Sequence, residues 1–363
     1  MFALLLITGC ASHAGAPDSS AVGTVASAEA PTIVTQPATV ATRTPGTATP
    51  ALDGASITIS AVGDISLARQ VVDRMQANGA DYPYALVAPL VDGDIGLANL
   101  EGPFTDRGDP WPKGYNFRTP ARFAAGLRSG RFGVVTLANN HTLDFGAIGL
   151  TDTIAALDAA GIGHAGAGRD DIAAWNPVII DVRGLRTAFI GCALTPDEGG
   201  GFSIRAWAAG SGDAPGIAVC EAGRLRDAVA RARTAADFVI VAVHAGDEYN
   251  TAPNATQREL ATAALEGGAD AYIGAHAHVV QPIERHGQQL VVWGLGNFIF
   301  DLDEVDLANI PQPRVSLILD LTLTKGRGVT AYHAIPVTQD ADEDRPRPAA
   351  PEEAAALYAL IGE

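Results

Sequence analysis

Cysteine is scarce, and Cys10, Cys192 and Cys220 are too scattered among 363 residues to form a disulfide framework or a zinc-ribbon spacing. One bridge, Cys192 to Cys220, stays open. Bases are outnumbered 24 to 41 by acids, which leaves a formal charge of -17 and no basic stripe. Such a chain cannot neutralise phosphates along a nucleic acid, and a backbone-tracking binder is excluded. There is no G-x-S-x-G elbow and no G-x-x-x-x-G-K loop, which argues against a serine hydrolase and a nucleoside triphosphatase. The apolar run at the start, FALLLITG, falls far short of the roughly 20 residues that span a bilayer. What the chain does have is 47% hydrophobic residues with 40 Gly and 22 Pro, the composition of a turn-rich globular protein with a large core.

Ile7-Thr8-Gly9-Cys10 resembles the lipobox of bacterial lipoproteins, although a basic segment before it is missing. Residues 1–10 are therefore read as a signal and lipobox segment with Cys10 as the lipidated residue. Between Ala11 and Ser56, Ala, Ser, Thr, Pro and Gly supply 34 of 46 residues, with no aromatic. A stretch of that kind buries too little apolar area to offset chain entropy, so residues 11–56 are expected to be a disordered linker. Together these segments predict an exported protein tethered to the membrane or cell surface.

From Ile57 onward, six short apolar runs each end abruptly in polar residues: ITISAVGD at Asp64, DIGLANLE at Glu101, GVVTLANNH at His141, DFVIVAVH at His244, DAYIGAHAH at His278 and LVVWGLGN at Asn297. Near-continuous apolar runs read as strands covered on both faces. Helical patterns such as TDTIAALDAA, EAGRLRDAVARARTA and NATQRELATAALEGG lie between them, and this alternation predicts an α/β fold. In α/β sheets, ligands bind beyond the carboxyl ends of the strands, so these polar endings should converge on one crevice.

The convergent set is Asp64, Glu101, Asn140, His141, His244, His276 and His278, with Asn139, Asp144 and Asn297 close by. With no thiolate among them, a shell of imidazoles and carboxylates suits one or two divalent ions of manganese, zinc or iron. His276 and His278 are two apart, which in extended backbone points both rings to one side. His141 and Asp144 form a candidate acid-base unit in which the carboxylate orients the imidazole; Asp144 reads equally as the N-cap of the following helix.

The ordered series GD, NLE, ANNHTLD, VHAGDE, GAHAHVVQ and GLGNFIFD resembles the CapA-type capsule-synthesis (poly-γ-glutamate biosynthesis) family, a branch of the calcineurin-like metallophosphatase superfamily, over Ile57 to Val337. The resemblance implies a β-sandwich flanked by helices, four layers in the order α/β/β/α, across residues 57–337. An acidic C-terminal tail with a short helix, residues 338–363, would follow. It also implies that Asp64 binds a first metal, that Glu101 takes the place of a bridging aspartate, and that Asn140, His244 and His276 bind a second metal. His278 would return to the first metal, and His141 would be the acid near the leaving group. The pattern departs from the superfamily at Ser66, where a histidine is usual, and at Glu101, which is longer than the usual aspartate. The partners implied are an anionic polymer or phosphoester substrate, capsule synthesis or export proteins, and the membrane through the lipid anchor. A non-catalytic polymer-binding or anchoring component is the alternative.

Weaker signals complete the reading. Gly161, Gly163 and Gly166 match G-x-G-x-x-G but follow a helical pattern, so Gly161 is read as a helix-ending residue. Arg169, in the loop with His164, is a candidate clamp for an anionic group or else an ordinary surface residue. Glu248, with Tyr249 beside it, is placed near the substrate or behind the ligands. Trp111, Lys113, Tyr115, Phe117 and Arg118 form either a groove lining or a packed loop. The acidic run from Asp301 to Asp306 is read as a solvated loop.

Overall fold

The structure, a computed structural model, describes residues 54–198, 202–309, 313–340 and 343–361. Cys10 and the linker up to residue 53 lie outside the described residues. The first half of the chain runs β1 (Ser56–Ile65), α1 (Gln70–Asn78), β2 (Ile95–Leu100), α2 (Gly126–Ser129), β3 (Phe132–Thr136), α3 (Gly146–Ala160), β4 (Gly163–Ala165), β5 (Ala167–Gly168), α4 (Asp171–Trp175), β6 (Val178–Val182) and β7 (Leu185–Leu194). Next come β8 (Gly216–Ile217), α5 (Ala222–Arg233), β9 (Phe238–Ala245), α6 (Ala255–Gly267), β10 (Ala271–Ala275), β11 (Ile283–His286), β12 (Gln289–Val292) and β13 (Asn297–Ile299). The last elements are α7 (Glu304–Asn309), β14 (Val315–Thr324), β15 (Gly328–Gln339), β16 (Pro346–Pro348) and α8 (Pro351–Ile361).

Two sheets account for nearly all the strands. One has the order β16-β15-β14-β1-β2-β3-β4, with β13 also against β1; the other runs β11-β12-β10-β9-β7-β6. The strand sequences show why the sheets stack. Along β9, Phe238 and Ile240 face a core shared with Ile57, Ile59, Leu97 and Leu319 of the first sheet. The alternate residues Val239, Val241 and Val243 face Leu225 and Val229 of α5 and Leu260 and Ala264 of α6. On the far side of the first sheet, Val62, Leu100 and Val135 pack against Val71 of α1 and Leu150 and Leu157 of α3. Period-two alternation with both faces apolar thus yields helix, sheet, sheet, helix, the four layers expected.

Register sets where the polar endings fall. Asp64 of β1 pairs with Asn99 of β2 on one side and Asn297 of β13 on the other. In the second sheet His244 of β9 pairs with Ala275 at the end of β10. Two glycines permit the close approaches this needs. A Cβ at Gly63 would lie 1.9 Å from the Gly296 carbonyl, and one at Gly274 would lie 2.0 Å from the Trp293 carbonyl. Gly161 does end α3, in the left-handed conformation at φ 66°.

One expectation changes. The acidic run is no solvated loop: Asp301 is buried, accepts from the Gln70 backbone N–H at 3.1 Å and pairs with Arg69 at 3.2 Å, while residues from Glu304 form α7. Asp301 leaves solvent because it has these local donors, and the Asp303 and Asp306 side chains each accept from the other's backbone N–H. Among the described residues after 338, β16 pairs with β15, and Leu357 and Ile361 of α8 are buried at helical spacing.

Cys192 and Cys220 form a disulfide between β7 and the segment leading into α5, and both are buried. The bridge closes a sequence separation of 28, for which the chain-entropy model gives roughly 3–4 kcal/mol. Replacing both cysteines with alanine should lower the unfolding free energy by about that amount in urea titrations. An unchanged midpoint would contradict a stabilising bridge.

Candidate metal centre

Asn99, which the sequence reading passed over, lies at the middle of the site. Its Nδ2 donates to Asp64 Oδ1 at 2.8 Å and Glu101 Oε2 at 3.2 Å, and lies 3.2 Å from His244 Nδ1. Its Oδ1 accepts from Asn139 Nδ2 at 3.1 Å and from Thr136 at 3.3 Å. Asn139 also donates to the Leu100 carbonyl and accepts from the His141 backbone N–H, so it shapes the loop after β3. His244 Nε2 meets Asn140 Oδ1 at 2.9 Å, and the Asn140 amide donates to Glu198 Oε1 at 2.7 Å. His278 Nδ1 donates to Asn297 Oδ1 at 2.8 Å and lies 3.4 Å from Asp64 Oδ2; its Nε2 lies 3.8 Å from Glu101 Oε1. The His276 ring is 4.8 Å from that of His244 and 6.0 Å from that of His278.

Extended backbone is not what brings His276 and His278 together. β10 ends at Ala275, and the two histidines sit in a turn at φ 92° and 57°. Left-handed backbone at two non-glycine residues is costly and persists only where surrounding contacts enforce it. Here the His276 N–H donates to Asp64 Oδ2 at 3.3 Å.

His141 forms a second unit with Asp144, its Nδ1 2.8 Å from Asp144 Oδ2. Asp144 does not cap a helix, since α3 has no side-chain cap and this carboxylate accepts instead from the Phe117 N–H at 2.6 Å. Lys113, its side chain wholly buried, places its Nζ 2.9 Å from Asp144 Oδ1, donates to the Asn140 carbonyl, and lies 5.0 Å from the Phe202 and Trp207 rings. Phe117 stacks on the His141 ring at 4.1 Å. The aromatic and basic cluster therefore divides: Lys113 and Phe117 belong to the site, while Arg118 covers Phe145. Tyr115 is half exposed at the mouth, in a cavity of about 460 Å³ that Asp197, Glu198, Asp247, Glu248 and His276 also line.

Arg169 is not brought to the site. Its side chain is 72% exposed and paired with Asp170, the residue that caps α4. His164 pairs with Asp158 of α3. Asn99 gives no sequence signal beyond its position inside an apolar strand, and Lys113 stands out only as a member of the aromatic and basic loop cluster.

Burial governs the charge states. Burial, reinforced by Asp64, pushes the Glu101 carboxyl well above the ordinary range. His244 and His276 are pushed well below theirs by burial and by neighbouring imidazoles. His141 is lowered by burial, which outweighs Asp144. For His278 burial acts downward, but Glu101 and the Asp64 contact outweigh it and raise the ring to about 10. Glu101 Oε1 and His276 Nδ1 are buried without a hydrogen-bond partner. Unpaired buried acceptors of this kind are costly. Two groups of three have their ligand atoms within 4.8 Å of one another, Asp64 with Glu101 and His244, and Glu248 with His276 and His278. The donor set and its unpaired atoms fit a divalent cation.

Residues 58–302 match the family described as bacterial capsule synthesis protein PGA_cap. The chain belongs to that family. Members similar to it include capsule biosynthesis protein CapA of Bacillus anthracis, 31% identical over 258 residues, covering 68% of this chain and 60% of that one. PGA biosynthesis protein CapA of Bacillus subtilis (strain 168) is 31% identical over 249 residues, covering 68% and 63%. A probable polyglutamine synthesis accessory protein of Mycobacterium tuberculosis is 32% identical over 225 residues, covering 58% and 57%. The chain thus matches less than two thirds of the length of these relatives. A solved putative 5′-nucleotidase from Staphylococcus aureus is similar at 15% identity with a TM-score of 0.47, covering 84% of this chain and 58% of that one, a likeness too loose to speak of activity.

Two predictions follow from these contacts. Lys113→Met leaves Asp144 buried without its cation and should cost roughly 3–5 kcal/mol in denaturant unfolding, with part of the loss recovered in Lys113→Met/Asp144→Asn, which removes the charge and keeps an acceptor for the Phe117 N–H. A loss below about 1 kcal/mol would show that the pair carries little. His278, raised to about 10, holds a proton that a cation displaces, so divalent-ion binding should release a proton and tighten as pH rises from 6 to 8, by up to about tenfold per unit. Calorimetry in buffers of different ionisation enthalpy reads this directly; pH-independent affinity would contradict it.

Proposed function

We propose that this protein is an exported, surface-tethered component of capsule or poly-γ-glutamate synthesis whose site hydrolyses or otherwise processes an anionic polymer or phosphoester. The observation that carries the reading is convergence: Asp64, Glu101, His244, His276 and His278, from strand ends far apart in sequence, are buried in one crevice with two unpaired acceptor atoms among them. Family membership supports the biological setting. The buried disulfide supports an oxidising compartment, since such bridges are rare where thiols are kept reduced. Among the described residues no helix is long and apolar enough to cross a membrane, so attachment in this proposal rests on Cys10, and capsule synthesis or export proteins are the partners proposed.

Asp64, Glu101, Asn140, His244, His276 and His278 would hold one or two divalent ions. Such ions polarise a scissile group and lower the pKa of water at neutral pH. The chain's own residues supply the rest. Asp144 accepts from His141 Nδ1 and leaves Nε2 to give a proton to a leaving group or take one from a nucleophile. Lys113 keeps Asp144 in place, and Phe117 and Phe300, edge to face at 5.5 Å, wall the His141 side against water. Asn99 fixes the orientations of Asp64 and Glu101.

A second reading, a non-catalytic polymer-binding or anchoring component, draws on Ser66, which offers no imidazole where the superfamily has one. The acidic mouth draws on the same side, because an anionic chain meets Asp197, Glu198, Asp247 and Glu248 before it reaches the floor.

The test assays purified protein with manganese or zinc on phosphodiester and γ-glutamyl polymer substrates. The proposal expects turnover that His141→Ala lowers about 10²–10⁴-fold while ion content is kept. Bound ions with no turnover on any substrate would leave the non-catalytic reading.

A further inference from the structure

Building on that reading, we infer that Glu248 is a metal ligand: with His276 and His278 it frames an outer divalent-cation position beside an inner one framed by Asp64, Glu101 and His244. The resemblance divides the ligands differently and includes no residue from the turn after β9. In this chain, however, the carboxylate of Glu248 and ring nitrogens of both turn histidines lie within 4.8 Å of one another, as do the ligand atoms of the inner three. His276 is 2% exposed, its Nδ1 has no hydrogen-bond partner, and it lines the mouth cavity with Glu248. A buried imidazole nitrogen with no protein partner, next to an open cavity and a carboxylate, suits a cation ligand.

The two turns are fastened to each other at this point. The Tyr249 N–H donates to the Ala277 carbonyl at 2.8 Å, which links the residue after Glu248 to the residue between the two histidines. The Tyr249 hydroxyl donates to Asp306 at 3.1 Å, and its ring lies 6.3 Å from that of His278. Tyr249, His276 and His278 all hold positive φ, at 64°, 92° and 57°. Three non-glycine residues in left-handed backbone across two facing turns is a local cost, and it keeps Glu248 against the histidines.

Glu248 offers an anionic ligand from the turn after β9, in the second sheet. A carboxylate there suits manganese, zinc or iron and adds negative charge that a dication neutralises.

The experiment is a manganese titration of the purified full chain by calorimetry, with electron paramagnetic resonance of the loaded protein. Wild type should take up two ions with exchange-coupled spectra. Glu248→Gln should hold one uncoupled ion, or bind the second at least tenfold more weakly; Glu248→Asp, keeping the charge on a shorter stem, should fall between. Far-ultraviolet circular dichroism and thermal midpoints of the metal-free variants check folding. Two coupled ions in Glu248→Gln at wild-type affinity would overturn this inference and leave the metal reading standing, as would a wild type that holds a single ion. No binding by wild type would overturn both.

Discussion

The site rests on one buried amide. Asn99 has two N–H hydrogens and three acceptors within 3.2 Å: Asp64, Glu101 and His244. One acceptor is always short of a donor, and Glu101 Oε1 and His276 Nδ1 have none. Burying a carboxylate without compensation costs several kcal/mol even after relaxation, so a fold that gathers these groups needs positive charge among them. The His278 ring, raised to about 10 by Glu101 and Asp64 against its burial, supplies it as a proton. A dication supplies it better, and for that reason proton release and ion uptake are two sides of one equilibrium.

Both sheets are required for this arrangement. Asp64, Asn99 and Asn297 stand side by side because β1 pairs in parallel with β2 and β13 at this level, with a register shift beside Asp64 in each pairing. His244 and the turn after β10 come from the other sheet. The crevice between the carboxyl edges is thus a product of how two apolar faces stack, and the core of Ile59, Leu97, Ile240 and Leu319 positions ligands that it never touches. The His276 N–H to Asp64 contact is where the two edges meet.

Much of this was legible in the sequence because a core strand has no packing reason to end in Asn-Asn-His or His-Ala-His. The abrupt change from apolar to polar marked strand ends, and strand ends in an α/β sheet point to the site. What could not be read was anything decided by a partner across the fold. Asn99 sits inside DIGLANLE as one polar residue, and its role exists only when β1 and β9 lie beside it. Lys113 looked like a loop cation until Asp144 closed over it. The turn at His276 and His278 was mistaken for extended strand because its left-handed backbone is imposed by Asp64 and not by local sequence preference. Arg169 erred the other way: a suitable residue type on a loop that the fold turns to solvent, beside Asp170.

The central claim is that these side chains share a cation, and anomalous diffraction at the manganese edge from crystals soaked in that ion tests it most directly. The account predicts anomalous density within coordination distance of Asp64, His244 and His276. Density confined to the protein surface, or none in the crevice at saturating manganese, would contradict it.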